Sequence, residues 1–160
     1  MTAAAAHSTF APMAAEPQTQ EIDIEAPLDL CLAVLLDFER YPDWSSAILE
    51  CQSLERDTAG RATRVAFALD AKIRTVRYTL AYTLEAPATL RWTLVTGDLA
   101  DVDGSYVLTP SGPQRTHAVC TQAVDPGFWL PGPLRRFAER QALSDSVGEF
   151  RSEAERRAKA

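Results

Sequence analysis

The decisive stretch of the sequence is FERYPDW, residues 38–44. It follows an apolar run, residues 28–37, whose spacing predicts a helix that opens just after Pro27. Because the residue before a proline is disfavoured in helical conformation, Pro42 predicts that this helix ends near Tyr41. The segment therefore predicts a short helix and then a sharp turn that holds two large aromatic side chains, Tyr41 and Trp44.

Length and composition predict one domain preceded by a tail. With 160 residues, of which 46% are hydrophobic, the chain suits a single packed core. Residues 1–19 are rich in alanine and show no apolar period, so we expect a disordered tail before a domain over residues 20–157. The tail lacks the basic start and the apolar run of a secretory signal. No stretch of the sequence is long and apolar enough to span a membrane.

The charge and the cysteines argue against several classes of protein. The net charge of −6 disfavours nucleic acids and anionic membrane surfaces as partners, because proteins that bind either concentrate positive charge. Cys31, Cys51 and Cys120 are odd in number and widely spaced, which argues against a disulfide framework and against a zinc site. We interpret them as free thiols in a reducing cytoplasm, and we expect no metal and no other cofactor.

Seven segments are predicted to be β-strands, most of them because their two faces alternate with a period of two residues. They are residues 21–25, 48–56, 61–71, 73–84, 89–96, 99–109 and 116–124. Short turns between the later segments predict an antiparallel meander. One face of this sheet is apolar and aromatic, and it should bring Trp92 and Tyr82 together with Phe67 and Tyr78. Another element must therefore cover that face.

The covering element is a helix predicted from Leu134 to about Arg157. Its apolar residues form two stripes that lie roughly opposite each other at about 100° per residue, one in each half of the helix. The sequence leaves two alternatives open: the helix bends near residues 144–146, or its two halves face different neighbours. An apolar loop, residues 128–130, precedes this helix, and we expect the loop to be exposed.

Several motifs resemble those of the START-like superfamily, which includes polyketide cyclases and dehydrases, lipid-transfer domains and coenzyme Q-binding proteins. The motifs are Ala26-Pro27, Asp37, Tyr41-Pro42-x-Trp44, Trp92-Thr93-Leu94-Val95-Thr96-Gly97-Asp98, Gly104-Ser105-Tyr106, Leu108-Thr109-Pro110 and Pro131-Gly132-x-Leu134. The resemblance covers roughly residues 20–157. It implies an α+β helix-grip fold, in which a curved antiparallel β-sheet wraps around a long C-terminal helix. Because this superfamily spans carriers and a few enzymes, it implies the fold more narrowly than the function.

The resemblance also implies a deep apolar cavity between the sheet and the C-terminal helix. Carried over to this sequence, its lining would comprise Phe67, Tyr78, Tyr82, Trp92, Tyr106 and Gln122 from the sheet, Leu134, Phe137 and Gln141 from the helix, and Trp44 with residues 128–130 near the mouth. The two glutamines depart from a purely apolar lining and favour a ligand with a polar head. A buried amide needs a partner, and for Gln122 the sequence leaves open another side chain, water or the ligand.

The predicted lining contains no recognisable catalytic constellation. Its tyrosines are interpreted as core aromatics, of which at least one meets the ligand. His117 falls on the outer strand face, and Cys120 points inward without a histidine to activate it. The aspartates between residues 98 and 103 resemble a metal-binding trio but fall on a turn and an outer face. Asp145 would approach the cavity on a straight helix, yet we expect a bend or exposure to keep this carboxylate out.

Three functions remain as hypotheses. The leading one is a cytoplasmic protein that binds or transports a hydrophobic small molecule, such as a lipid, a quinone or a polyketide, in an internal cavity. The alternative is a polyketide aromatase/cyclase or dehydratase, in which Tyr78, Tyr82, Tyr106 and Gln122 would polarise a carbonyl group. The third is an interaction module that acts on ribosomes, against which the acidic charge weighs. We expect no nucleic-acid partner and no stable membrane insertion; the sequence identifies neither the ligand nor the oligomeric state.

Overall fold

The structure combines one antiparallel sheet with a long C-terminal helix. The computed structural model describes residues 16–160. Its elements are β1 (Gln18–Ile24), α1 (Leu28–Leu36), a 3₁₀ turn (Phe38–Arg40), α2 (Tyr41–Trp44), β2 (Ile48–Arg56), β3 (Ala62–Asp70), β4 (Thr75–Glu85), β5 (Thr89–Gly97), β6 (Asp101–Gly112), β7 (Arg115–Asp125) and α3 (Gly132–Ala158). The strands form one sheet in the order β1-β7-β6-β5-β4-β3-β2. The predicted α+β architecture, a curved sheet with a long helix across one face, is confirmed.

The helices cover one face of the sheet, here called the inner face, and strand alternation decides which side chains reach it. In β6, Val102, Gly104, Tyr106 and Leu108 are buried, whereas the residues between them are exposed or half-buried. The predicted shared face of four aromatic residues is confirmed, because their rings contact one another: Phe67, Tyr78, Tyr82 and Trp92.

The connection from α1 to β2 differs from the prediction. Helix α1 ends at Leu36 because Asp37, with φ −87° and ψ 65°, leaves the helical region. The chain then turns through the 3₁₀ turn into α2, where Tyr41 is helical with φ −53° and ψ −41°. The prediction that Pro42 keeps Tyr41 out of helical conformation is therefore wrong. Pro42 lies in the first turn of α2, where its missing N–H removes no helical hydrogen bond.

The same connection packs against the outer strand of the sheet. The carboxylate of Glu39 accepts a hydrogen bond from the backbone N–H of Ser53 at 3.3 Å. It also pairs with the guanidinium of Arg56 at 3.2 Å. Because β2 is the last strand of the sheet, the Ser53 N–H has no neighbouring strand to bind. Glu39 therefore satisfies a backbone donor on the free edge of β2.

Several predicted boundaries move, and the starts of the strands β1 and β4 show how strand pairing sets them. β1 begins at Gln18, which pairs with Gln122 of β7, so the predicted boundary at residue 20 falls inside a strand. Residues 1–15 lie outside the described residues, and the tail stays a prediction. β4 begins at Thr75, two residues later than predicted. Ile73 instead lies in the preceding turn and is 85% exposed.

Helix α3 continues without interruption through residues 144–146. Its second half buries Leu143, Val147, Phe150 and Ala154, whereas the apolar stripe of its first half is exposed. The two halves therefore face different surroundings. No helix among residues 16–160 has both the length and the apolar character needed to cross a membrane.

Polar contacts hold the second half of α3 against the rest of the molecule. The guanidinium of Arg157 contacts Asp37 at the end of α1 at 3.1 Å and Glu153 on its own helix at 2.9 Å. Nearer the middle of α3, Glu149 accepts a hydrogen bond of 2.8 Å from the backbone N–H of Ser46. These contacts fix α3 against both ends of the segment that joins α1 to β2.

Candidate ligand-binding site

Aromatic rings from the sheet and the helices form a closed circuit on the inner face. Successive ring centroids in this circuit lie between 4.6 and 6.4 Å apart, within the range of favourable aromatic pairs. The members, in order, are Trp44, Tyr41, Phe38, Tyr82, Trp92, Tyr106 and Phe150, which returns to Trp44. Phe67 joins the circuit from β3 and stacks on Tyr78 at 5.3 Å. These side chains make the inner face beneath α3 predominantly aromatic.

The structure brings together most of the predicted lining from the sheet. Trp44 and the sheet aromatics lie in the circuit or stack on it, and Gln122 contacts the circuit through Trp92. Phe38, Tyr41 and Phe150 belong to the circuit but are absent from the predicted lining. For Phe150 the sequence carried a usable signal, because its stripe on α3 has four apolar residues and the stripe of Leu134 has three.

The predicted helical part of the lining is wrong in its placement. Leu134 and Phe137 are 54% and 66% exposed, and Gln141 is exposed and donates a hydrogen bond to Asp145 at 2.9 Å. At about 100° per residue, these positions lie about 120–180° around the helix from the buried stripe. The packing of Phe150 against Trp44 and Tyr106 fixes the rotation of α3 and turns the other stripe outward.

One row of side chains crosses three neighbouring strands on the inner face. Trp92 pairs with Gly104, which pairs with Gln122. The indole of Trp92 lies across Gly104, where a Cβ atom would come within 2.2 Å of the ring. Its Nε1–H donates a hydrogen bond of 3.1 Å to the side-chain oxygen of Gln122. The partner that Gln122 requires is therefore Trp92, and the absence of a side chain at Gly104 is what permits the contact.

Among residues 16–160, the inner face also carries tyrosine hydroxyls, cysteine thiols and the indole Nε1 of Trp44, which is buried without a partner there. Tyr41 donates its hydroxyl to the carbonyl oxygen of Leu35 at 2.5 Å. Burial raises the pKa of Tyr82 and of Tyr106 well above the ordinary value, so both phenols stay protonated. Burial likewise raises the pKa of Cys120, which pairs with Tyr106 across the strands, to about 12. The phenols of Tyr82 and Tyr106 and the thiol of Cys120 are therefore not ionised at neutral pH.

The remaining candidates lie away from the circuit. His117 is on the outer face, where its Nδ1 contacts the carboxylate of Asp23 at 2.9 Å; the predicted outward orientation is confirmed. Asp98 accepts a hydrogen bond of 2.8 Å from the backbone N–H of Arg77. Asp145 is exposed beside Gln141. Among residues 16–160, no group of acidic, histidine or cysteine side chains is arranged to hold a metal ion.

Exposed apolar side chains gather near the first half of α3. Trp129 is 84% exposed and follows the exposed Phe128 in the loop before the helix. The predicted exposure of this loop is therefore confirmed for its two aromatic residues. The guanidinium of Arg74 lies 5.8 Å from the centre of the Phe128 ring, which connects this loop to the turn between β3 and β4. Phe128, Trp129, Leu134 and Phe137 are all exposed, and together they are called here the exposed apolar patch.

An open depression of about 620 Å³ lies over β2, β3, β4 and the end of β5. Its lining includes Glu50 and Arg77, which form an ion pair of 2.9 Å, and Thr79. In β4 these residues alternate with the inward-facing Tyr78. Phe67 and Tyr78, which stack beside the aromatic circuit, also line the depression, so it borders that circuit.

Comparison with known proteins identifies the family and finds solved structures with the same fold. The family model described as polyketide cyclase/dehydrase and lipid transport matches residues 24–151. A START superfamily protein from Mycobacterium smegmatis superposes with a TM-score of 0.77 at 19% identity, covering 89% of this chain and 97% of that one. The Zhui aromatase/cyclase from Streptomyces sp. R1128 gives 0.76 at 20% identity, covering 89% and 94%. The protein TTHA0849 from Thermus thermophilus gives 0.74 at 18%, covering 87% and 97%. A comparison with curated protein sequences gives no match.

Proposed function

This chain belongs to the polyketide cyclase/dehydrase and lipid transport family, and from that premise we propose that it binds a hydrophobic small molecule between the sheet and α3. The proposed ligand is a lipid, a quinone or a polyketide-like molecule, and the proposed role is to carry it. Aromatic lining with a few polar groups is the usual composition of a site for such molecules.

The observation that carries the proposal is the closed aromatic circuit with the Gln122 amide at its side. An amide is costly to bury without partners, and the Gln122 oxygen finds one in the indole of Trp92 beside this circuit. The circuit also joins three layers of the fold, since its rings come from the α1–β2 connection, from the sheet and from α3. A displacement of α3 would therefore expose aromatic surface from all three.

The side chains of the inner face offer little for general acid–base catalysis. General acid–base catalysis is most efficient when the catalytic group titrates near the operating pH. Burial instead raises the pKa of Tyr82, Tyr106 and Cys120 far above neutral pH. Neutral phenols can orient a carbonyl group by hydrogen bonding, but they are poor bases.

A second candidate function is that of an aromatase/cyclase. The likeness to the Zhui aromatase/cyclase favours it, at a TM-score of 0.76, although at 20% identity this likeness concerns the fold. In such a reaction a carbon–carbon bond forms within the substrate and water leaves. The phenols of Tyr82 and Tyr106 would then donate hydrogen bonds to the ketone oxygens.

Tryptophan fluorescence can test where a ligand binds, because Trp92 is 7% exposed and Trp129 is 84% exposed. We would titrate a fluorescent long-chain fatty acid into two variants. Trp44→Phe with Trp129→Phe leaves Trp92 as the donor, and Trp44→Phe with Trp92→Phe leaves Trp129. We expect saturable energy transfer from Trp92 at one dye per chain, displaced by unlabelled fatty acid.

The same titration separates the outcomes. Transfer from Trp129 without transfer from Trp92 would show that the dye adheres to the exposed apolar patch and would contradict the proposal. Absence of saturable binding would contradict it as well. To distinguish the second candidate, a poly-β-ketone would be incubated with the protein and analysed by mass spectrometry. If the protein removes water from that compound and Tyr82→Phe abolishes this activity, the cyclase function is supported and the carrier function is not.

A further inference from the structure

The first half of α3 is amphipathic in the opposite sense to the second half, because its apolar residues are exposed. Leu134 and Phe137 are 54% and 66% exposed. At about 100° per residue, they form with the exposed Ala138 one sector about 100° wide. Arg135 borders this sector on one side and Arg140 on the other. Bulky apolar residues bordered by long cationic side chains are typical of helices that lie at the interface between water and lipid.

The loop before α3 and the β3–β4 turn add further exposed apolar side chains. Trp129 is 84% exposed and Ile73 is 85% exposed. The two segments lie at the same end of the sheet, because every second turn of an antiparallel meander falls on the same side. They also touch, since the guanidinium of Arg74 lies 5.8 Å from the centre of the Phe128 ring. Ile73 therefore extends the exposed apolar patch across this end of the molecule.

The charge of these segments differs from that of the chain as a whole. Residues 71–74 and 126–141 together contain five cationic side chains and one carboxylate, whereas the net charge of the chain is −6. The single carboxylate, that of Glu139, pairs with Arg135 at 2.8 Å. Among residues 16–160, the cations of these segments that have no ion-pair partner are Lys72, Arg74 and Arg140.

Most carboxylates at this end of the sheet are held against the backbone of the turns. Three of them accept a hydrogen bond of 2.8–2.9 Å from a backbone N–H group: Asp70 from Lys72, Asp98 from Arg77 and Asp125 from Gly127. Asp101, at the start of β6, is exposed. The long side chains of the unpaired cations can instead extend toward a surface that the apolar residues contact.

We propose that the exposed apolar patch and Ile73, with the cations around them, dock the protein reversibly on an anionic lipid surface. The net charge of the chain disfavours such a surface, but the local charge is positive, and attraction to anionic lipids acts within about 10 Å. We favour a lipid surface over an acidic protein because Trp129 and Ile73 are almost fully exposed, as the anchoring residues of interfacial segments are. This inference goes beyond the proposed function and does not rest on it.

Cosedimentation of the wild-type protein with lipid vesicles tests the proposal. One set of vesicles contains phosphatidylcholine alone, and the other contains equal amounts of phosphatidylcholine and phosphatidylserine. Because each cation near an anionic surface contributes about fivefold in affinity, we expect binding to the mixed vesicles to be at least roughly tenfold tighter. Added salt should weaken it, since salt screens charges outside the protein.

Two pairs of variants locate the docking surface. Leu134→Ala and Arg140→Gln should each weaken binding to the mixed vesicles roughly fivefold. Leu54→Ala is the control for the first, because Leu54 on β2 is 51% exposed and Leu134 is 54% exposed. Arg151→Gln is the control for the second, because Arg151 also lies on α3 and has no ion-pair partner among residues 16–160. Both controls should bind as the wild type does.

Tryptophan emission supplies an independent readout. In the variant that keeps only Trp129, emission should shift to shorter wavelength when the mixed vesicles are added, because the indole leaves water. In the variant that keeps only Trp92, which is 7% exposed, emission should not shift. A shift confined to Trp92 would overturn the proposal. If these variants do not fold, the preference for anionic vesicles and its dependence on salt decide the question in the wild-type protein.

Other occupants of the patch give different results. Equal binding to both kinds of vesicle, or no binding to either, would overturn the proposal. So would a dimer that Leu134→Ala dissociates, or binding of poly-glutamate at Arg140, if the mixed vesicles are not bound; these results would indicate a second copy of the chain or an acidic protein. Each of these results leaves the binding of the fluorescent fatty acid unaffected, so failure here is distinguishable from failure of the proposed function.

Discussion

Replacing Gly104 by alanine would place a methyl group inside the indole of Trp92. The new Cβ atom would lie 2.2 Å from Cε2 and 2.3 Å from Nε1 of that ring, whereas carbon atoms in contact are about 3.5–4.0 Å apart. The indole is not a flexible chain end, because Tyr82 and Tyr106 pack on either side of it. Either Trp92 moves away from Gln122, or β5 and β6 separate.

Two energetic costs, overpacking and the loss of a hydrogen bond, set the size of the effect. Overpacking of a core costs about 1–3 kcal/mol, and loss of the hydrogen bond from Trp92 to Gln122 adds about 0.5–1.5 kcal/mol. We therefore expect Gly104→Ala to lower the free energy of unfolding by about 2–4 kcal/mol. For a chain of this size, that is a fall in Tm of roughly 4–16 °C.

Thermal unfolding followed by circular dichroism measures this effect, and two controls define it. Gly148→Ala is the matched change, because a Cβ atom there meets nothing within 4 Å; in helix α3 it should stabilise by about 0.5–1 kcal/mol. In a Trp92→Leu background, Gly104→Ala should cost less, since the ring that it strikes is gone. An unchanged Tm for Gly104→Ala, or an equal loss in both backgrounds, would refute the reasoning.

Three further predictions concern other parts of the molecule. Hydrogen bonds from Arg156 and Arg157 lower the pKa of Glu153 below its ordinary value of 4.5; this stabilisation is present above that value and is lost as the pH falls through the lowered pKa. Glu153→Gln should therefore lower the Tm at neutral pH and have no effect in strong acid, and an equal effect at both would contradict the assignment. Burial raises the pKa of Cys51 and of Cys120 to about 12, so a disulfide reagent should label neither thiol rapidly in the folded protein at neutral pH, as mass spectrometry of timed samples would show. Deleting residues 1–15 should change the Tm by less than about 4 °C, because their composition cannot offset the entropy of ordering them, and a larger loss in calorimetry would disprove the tail.

The strand faces could be predicted from the sequence because a strand repeats every two residues. Once Tyr82 was placed inward, the positions of Tyr78 and Leu84 followed without knowledge of any partner. The predicted bounds of β2 match the observed ones, although register shifts interrupt the two-residue repeat in this strand. The start of β1 was not, since Gln18 belongs to a strand only through its pairing with Gln122, and a pairing partner distant in sequence leaves no local signal.

The rotation of α3 shows why the helical part of the site could not be predicted in the same way. Both apolar stripes are compatible with a buried face, and the choice between them depends on where Phe150 meets Trp44 and Tyr106. These contacts join segments far apart in the chain. For Gln122, the need for a partner followed from the cost of burial, but the identity of the partner required the register that places Gly104 between Gln122 and Trp92.

The contact between Glu39 and the free edge of β2 bears on self-association. An outermost strand offers its unpaired N–H and C=O groups to any other extended chain, and such edges are routes to aggregation. On β2 the hazard is greater because Leu49 and Leu54 are about half exposed. Glu39 occupies the N–H of Ser53 and places a negative charge beside it, so a second strand would have to displace a carboxylate before it could add to the sheet. A side chain in the α1–β2 connection thus occupies one of the backbone donors through which a further strand would add to this edge.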